Sequence, residues 1–368
     1  MKRVNHLIIY CLFFITAALP AEAQVAKVKP LQSGKIWSVE KANDWYNKHQ
    51  WIVGANFIPS TAINQLEMWQ QDSFDPETID RELGYAEKIG FNTMRVFLHS
   101  VVYGEGPKSF KSRIDQYLTI ANKHHIQTIF VFFDDCWNPN PKPGKQPLPK
   151  AGVHNSGWMQ DPGRFLKDPK EFNSLETYMK DIMSSFAHDK RILLWDLYNE
   201  PGNSTKRDTS LVLLTKVFTW ARDVNPDQPI SAGLWAWDFE KLNAFQALNS
   251  DIITYHDYEV DTLHTRVIQL LKTHGRPMIC TEYMARSRRS TFQSILPVLK
   301  KENIGAINWG LVAGKTNTKY AWDSPMPDGA EPKLWFHDIF QKDGTPYNTE
   351  ETLFIRKITQ QPKTETLK

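Results

Sequence analysis

Two glutamates stand where apolar runs stop. The run Ile192-Leu193-Leu194-Trp195-Asp196-Leu197-Tyr198 ends in Asn199-Glu200-Pro201, and Pro277-Met278-Ile279-Cys280-Thr281 ends in Glu282-Tyr283. A lone glutamate at a strand end is usually half of a salt bridge. Two of them at the ends of the fourth and seventh strands of a barrel would face each other across its mouth. In that arrangement one carboxyl can protonate a leaving oxygen while the other attacks, or activates water at, an anomeric carbon. Hydrolysis of a glycosidic bond needs such a pair.

The elements that must position this pair are short β-branched and aromatic runs alternating with longer stretches of helical period, the pattern of a parallel sheet with crossover helices. Strands are expected at 51–57, 92–98, 127–133, 192–198, 230–234, 252–255, 278–281 and 305–309. The first helix opens at Asp75-Pro76-Glu77, a cap followed by proline at the first helical position. Ile79, Leu83, Ala86 and Ile89 share one face, and Gly90 ends it. The next helix carries Ile114, Tyr117, Leu118 and Ala121. Later helices are expected at 174–187, 211–222, 239–248, 262–273 and 291–302, with a last one at 334–340. Eight such units predict an α/β fold, a single (β/α)8 TIM barrel, whose catalytic groups belong at the C-terminal strand ends. An open doubly wound sheet would want a glycine-rich phosphate loop after an early strand, and none is present. Residues 39–49 read as an extra helix capping the barrel floor. The segment 138–163, with Pro139, Pro141, Pro143, Pro147, Pro149 and Pro162, is a long loop after strand 3, expected over the active-site face.

The chain has 368 residues, 41% hydrophobic and 23% charged, and a net charge of +3, which fits one barrel and gives no basic patch for nucleic acid. Lys2 and Arg3, the apolar residues 7–19 and Ala21-Glu22-Ala23 read as a signal peptide, residues 1–23, cleaved before Gln24. The expected location is therefore secreted or periplasmic, with no membrane segment after cleavage. An uncleaved anchor is the alternative, and Cys11 lacks the small residues that precede a lipoprotein cysteine. Residues 24–360 form the expected domain and 361–368 a polar tail. Cys136 and Cys280 fall on opposite sides of the barrel and read as buried thiols.

The segment Trp195-Asp196-Leu197-Tyr198-Asn199-Glu200-Pro201 resembles the fourth-strand motif of the clan of retaining (β/α)8 glycosidases that contains the family 5 cellulases and mannanases. Within it the chain looks most like bacterial cellulase-like or xylanase-like hydrolases, from about residue 37 to 354. The resemblance implies that Glu200 is the acid/base and Glu282 the nucleophile. It implies that Asn199 binds the sugar 2-hydroxyl and that Arg95 orients Glu282. His256 would lie near the acid/base, Tyr258 near the nucleophile, and Trp309 would floor the sugar site. It also implies a carbohydrate substrate, with no cofactor and no metal. A guanidinium beside Glu282 is expected to lower its pKa, and the resulting charge to raise that of Glu200. Many family 5 members carry histidine where the third strand ends; here Asp134-Asp135-Cys136-Trp137 stands instead, which points to a different glycone subsite. Paired aspartates suit calcium only with further ligands, and the sequence offers none.

Further sugar contacts are expected from loop residues, because carbohydrate sites combine aromatic platforms with hydrogen-bonding groups. The candidates are Asn64, Glu67 and Trp69 after the first strand, Asp134, Asp135 and Trp137 after the third, and His154 and Trp158 on the long loop. Trp235 and Trp237 follow the fifth strand, and Lys315 and Trp322 the eighth. A non-hydrolytic carbohydrate-binding protein on the same barrel is the alternative, although such proteins usually lose one carboxylate. A metal-dependent hydrolase would need a His/Asp cluster at strand ends, where only His256 qualifies.

Overall fold

Strands buried on both faces need cover inside and out. The computed structural model, which describes residues 30–31, 36–164 and 169–360, meets that need with a parallel barrel. Its strands are β1 (Val53–Asn56), β2 (Thr93–Phe97), β3 (Gln127–Asp134), β4 (Ile192–Asn199), β5 (Ile230–Ser231), β6 (Ile253–His256), β7 (Met278–Glu282) and β8 (Gly305–Trp309). They pair in the order β5-β4-β3-β2-β1-β8-β7-β6. At the remaining seam Leu234 N donates to Thr254 O (3.0 Å) and Leu234 O accepts from His256 N (2.8 Å), which joins β6 to the chain just after β5. The regular part of β5 is two residues, shorter than the expected 230–234.

Helix α1 (Val39–Asn47) precedes the barrel. Then come α2 (Gln65–Trp69), α3 (Pro76–Lys88), α4 (Ser100–Glu105), α5 (Pro107–Lys123), α6 (Phe172–Ser185) and α7 (Leu211–Val224). After these follow α8 (Glu240–Asn249), α9 (Asp261–Lys272), α10 (Phe292–Lys301) and α11 (Thr349–Gln360). Asp75 caps α3 by accepting from Thr78 N, and Ile79, Leu83 and Ala86 are buried along it. Gly90 follows at φ +82; a Cβ there would meet Thr359 of α11 at 2.3 Å, so the glycine admits that helix.

The expected helix at 334–340 is not formed. Its apolar residues Trp335, Phe336 and Ile339 are buried, which imitated a helical face, but they lie in irregular chain. The Arg286 guanidinium takes the carbonyls of Trp335 and Asp338 (both 3.0 Å), and Arg286 N takes that of Phe336. Carbonyls held this way cannot serve a helical ladder. The closing helix is α11, which buries Thr352, Ile355 and Ile358.

The barrel interior is layered. At the floor Ile52, Ile129, Leu194, Ile279 and Ile307 pack together under Trp37, Ala42 and Tyr46, so α1 plugs that end as expected. Trp37 N donates to Asp251, which also pairs with Arg222 (2.9 Å). Above this layer the interior turns polar. The 138–163 loop lies over the mouth, folded back through bridges of Asp134 with Asp161 and Asn138 with Met159. Cys136 and Cys280 are buried free thiols. Residues 1–23, Cys11 and the 361–368 tail lie outside the described residues. No described helix is long and apolar enough to cross a membrane.

Candidate active site

Arg95 on β2 points into the barrel and is fully buried. A buried guanidinium must spend its five donors on acceptors. Nε donates to Asp196 (2.9 Å), Nη1 to Asn56 (2.8 Å) and Glu282 (3.0 Å), and Nη2 to Asn199 (2.8 Å). One side chain thus ties together the ends of β1, β4 and β7. Asn56 and Asp196 are parts of the site that the sequence reading left without a role. An acid inside the apolar run of β4 was the available signal, since such a group needs a buried partner.

Glu200 follows β4 at φ +45, a left-handed conformation that costs a non-glycine residue about 1 kcal/mol or more. Oε1 accepts from His256 Nδ1 (3.0 Å), and Oε2 accepts from Asn203 Nδ2 (2.5 Å) and the Cys136 thiol (3.2 Å). Cys136, expected only as a buried thiol, is therefore a neighbour of the acid. Asn203 is a second contact that the motif did not reveal.

Across the mouth, Glu282 Oε1 takes Arg95 and Oε2 takes the Tyr258 hydroxyl (2.8 Å), with His256 Nδ1 at 3.5 Å. Burial drives the histidine pKa down to about 4, so the ring is neutral at pH 7. With carboxylates on one side, its proton belongs on Nδ1. Burial raises the pKa of both Glu200 and Glu282. For Glu282 this corrects the expected lowering: Arg95 and Tyr258 pull in that direction, and loss of water outweighs them. Of the two, Glu282 alone bonds a guanidinium directly, while the charge of Glu200 opposes its ionisation.

The aspartates that replace the third-strand histidine do not face the mouth. Asp134 accepts from Asn199 Nδ2, Cys136 N and Trp158 Nε1, the last at 2.6 Å. Burial raises it to about 7, while these donors favour its charged form. Asp135 accepts from Tyr198, Gly202 N, Ser210 and Lys206, and so fixes the turn after Glu200. These donors already occupy the oxygens that a calcium ion would require. Among the described residues the one group of His, Cys, Asp and Glu able to share a cation is Glu200, His256 and Glu282, whose ligand atoms lie within 4.8 Å of one another. Arg95 already places a positive charge against that group.

The pair opens into a cavity of about 390 Å³. Asn199, His256, Tyr258 and Trp309 line it, as do Trp137, His154, Trp158, Trp235, Trp237 and Trp322 from the loops. Asn155, Glu259, Arg288 and His337 also line it, and sequence reasoning missed them. Asn64, Glu67, Trp69 and Lys315, expected as sugar contacts, do not, and neither do Asp134 and Asp135. Trp69 is wholly buried, its Nε1 bonded to Phe97 O. Asn64 caps α2 by accepting from Glu67 N (2.9 Å), and Glu67 pairs with Lys315 (2.7 Å). The Asn64/Glu67 spacing is that of a helix cap and a third-position acid, which was the missed signal.

Residues 61–314 match a family model described as cellulase (glycosyl hydrolase family 5). Among solved structures, the endo-beta-1,4-mannanase from Thermotoga petrophila superposes with a TM-score of 0.60 at 13% identity, covering 88% of this chain and 79% of that one. An exo-beta-1,4-mannosidase from Opitutaceae bacterium strain TAV5 gives 0.60 at 15%, covering 90% and 62%. The endo-1,4-beta-mannanase from Rhizomucor miehei gives 0.54 at 12%, covering 84% and 94%. At these identities the likeness is one of fold. No curated protein sequence matches the chain.

Proposed function

The chain belongs to glycosyl hydrolase family 5 and is a glycoside hydrolase, and on that premise we propose that it retains anomeric configuration, with Glu200 as general acid/base and Glu282 as nucleophile. One observation carries this reading: His256 Nδ1 touches both carboxyl groups, at 3.0 and 3.5 Å. Oxygens of the two glutamates come within 4.8 Å of each other. Retaining pairs stand roughly 5–5.5 Å apart, whereas inverting pairs need roughly 6.5–9.5 Å to admit a water.

In the first step the Glu282 carboxylate attacks the anomeric carbon, and the bond to the leaving oxygen breaks as Glu200 hands that oxygen its proton. The product is a glycosyl ester on Glu282. In the second step the Glu200 carboxylate takes a proton from water, whose oxygen displaces Glu282 from the same carbon. Arg95 and Tyr258 orient the nucleophile. Cys136, Asn203 and His256 donate to Glu200 and steady the charge it acquires after the first transfer. Asn199, held by Arg95 and Asp134 beside both glutamates, is placed for the hydroxyl next to the anomeric carbon, and Trp309 for a ring face.

Purified protein is tested on β-linked glucans, mannans, xylans, galactans and their oligosaccharides, with products followed by chromatography. One glycan should be cut. Glu200→Ala should lower its turnover by roughly 10²–10⁴-fold, and Glu282→Gln should abolish it. Full activity in Glu282→Gln would refute the mechanism. Binding without turnover would favour a carbohydrate-binding protein. Export from the cytoplasm is part of the proposal: N-terminal sequencing of secreted or periplasmic protein should begin at Gln24, and a retained Met1 would contradict it.

A further inference from the structure

The catalytic cavity is closed at one end. Three loops, following β1, β3 and β8, are stitched into a wall there. Asn155 N donates to Thr316 O (2.8 Å), Met326 N to Gly152 O (2.9 Å), His154 Nδ1 to Tyr320 O (2.9 Å) and Asn317 Nδ2 to Lys150 O (2.9 Å). Gly152 sits at φ +62, and a Cβ on it would lie 1.7 Å from Met326 O, so only glycine lets the two loops meet this closely. The loop after β1 joins through the Lys315–Glu67 pair and through Asn64 Nδ2 bonded to Gly157 O (2.9 Å). A small void that shares Asn155, Trp158 and Trp309 with the catalytic cavity measures about 20 Å³. That is room for about one water, not for a sugar ring.

The wall stands on the nucleophile's side. Tyr258, which bonds Glu282, packs edge-on against Trp322 (4.9 Å) and lies against His337 (5.6 Å). On the acid/base side Asn203 and Cys136 contact Glu200, and Trp137 and Trp237 are 44% and 38% exposed; Trp322 of the wall is itself 36% exposed, so the hydrogen bonds between loops, not burial of that ring, mark the closed end. A sugar attacked by Glu282 would therefore lie toward the wall, and the group leaving with the proton of Glu200 toward Trp137 and Trp237.

Resting on the assignment of Glu200 and Glu282 above, we propose that the enzyme is exo-acting. It seats one non-reducing terminal sugar against the wall and lets the rest of the chain run out past Trp137 and Trp237. Asn155 lines the seat, 3% exposed, with Oδ1 unpartnered among the described residues. The oxygen is shielded from solvent between the cavity and the small void, and a turn of the side chain toward the cavity would offer it to a hydroxyl donor on the terminal ring, since buried polar atoms ordinarily find a partner.

The test takes oligosaccharides of the β-linked panel, labelled at the reducing end, and an aryl β-glycoside carrying one sugar. Early products should be monosaccharide and a labelled remainder one sugar shorter, and the viscosity of the parent polymer should hold steady. The aryl monoglycoside should be turned over, and Asn155→Ala should lower kcat/KM on it by roughly tenfold. Labelled fragments of several lengths from the outset would overturn exo action and leave the two-carboxylate mechanism standing. No hydrolysis of any glycan overturns both. Unchanged kcat/KM in Asn155→Ala, with release still terminal, removes Asn155 from the recognition of that sugar.

Discussion

The floor and the mouth of this barrel bury side chains to opposite ends. At the floor Ile52, Ile129, Leu194, Ile279 and Ile307 fill the interior with hydrocarbon. The nearby charges are matched in pairs, as in Arg222 with Asp251. At the mouth the same barrel buries Arg95, Asp196 and Glu282 and partly buries Glu200. There loss of water raises both glutamates, and Glu200 holds a left-handed backbone. Hydrocarbon burial stabilises the fold by about 25 cal/mol per Å². Burying charge costs stability and is kept where it sets reactivity. The two ends should therefore respond differently to substitution.

The largest difference is expected in Glu282→Gln. Turnover should fall by at least about 10³-fold, while the melting temperature stays within about 4 °C of the parent. The glutamine oxygen still accepts from Arg95, its amide nitrogen can donate to the Tyr258 hydroxyl oxygen, and one buried charge is gone. Parallel loss of activity and melting temperature, followed by chromatography and by circular dichroism on heating, would show that the mouth holds the fold together.

Ile279→Ala is the converse at the floor. Ile279 is wholly buried in the isoleucine layer, so its truncation should cost about 2–5 kcal/mol in denaturant unfolding. Activity per folded molecule should stay within about twofold, since a cavity at the floor leaves the strand ends in register. A fall in kcat/KM comparable to that of a mouth variant would erase the division.

Glu82 on α3 lies beneath the wall of the mouth, wholly buried, accepting from Ser60 N (3.0 Å). Burial raises its pKa to about 7 from an ordinary 4.5. Between those values the folded form keeps a proton that the unfolded chain has lost. Its contribution is complete below about pH 4.5 and is lost as pH rises to 7, by at most about 3 kcal/mol. Histidines lowered to about 4 by loss of water, such as the buried His256 and the partly buried His154, act in the opposite sense. They cost stability as pH falls below the ordinary histidine range. The difference between wild type and Glu82→Gln isolates the carboxyl: unfolding free energy should fall less steeply from pH 4.5 to 7 in the variant. Equal slopes would mean that Glu82 stays ionised.

The strand ends were legible from sequence, because a strand is periodic and its end is marked where apolar alternation gives way to charge. Glu200 and Glu282 stand at such positions, Arg95 is the charge inside the second apolar run, and the structure brings the three together. Loop residues carry no period. Asn64, Glu67, Trp69 and Lys315 have the polar and aromatic character of sugar contacts, yet that character serves equally to cap α2 and join two loops. Residues 334–340 looked helical because buried apolar residues can be spaced like a helix while their carbonyls answer to a distant arginine. Asn155 and His337 reach the cavity only through the fold of their loops, which no local pattern specifies.

Cys136 is the finest test of the mouth. Its thiol donates to Glu200 Oε2 at 3.2 Å, which favours the charged carboxylate against the effect of burial. Glu200 must be protonated for the first step, so activity declines as pH rises through its pKa. Without the thiol that pKa goes up, and the alkaline limb of kcat/KM should move to higher pH. Maximal turnover should fall only a few-fold, since the proton donor itself remains. Cys136→Ser keeps an O–H donor and should return the limb toward the parent, whereas Cys136→Ala should not. A simple packing role would lower both variants without moving the limb. The pH profile of the two therefore separates a thiol that tunes the acid from one that fills space beside it.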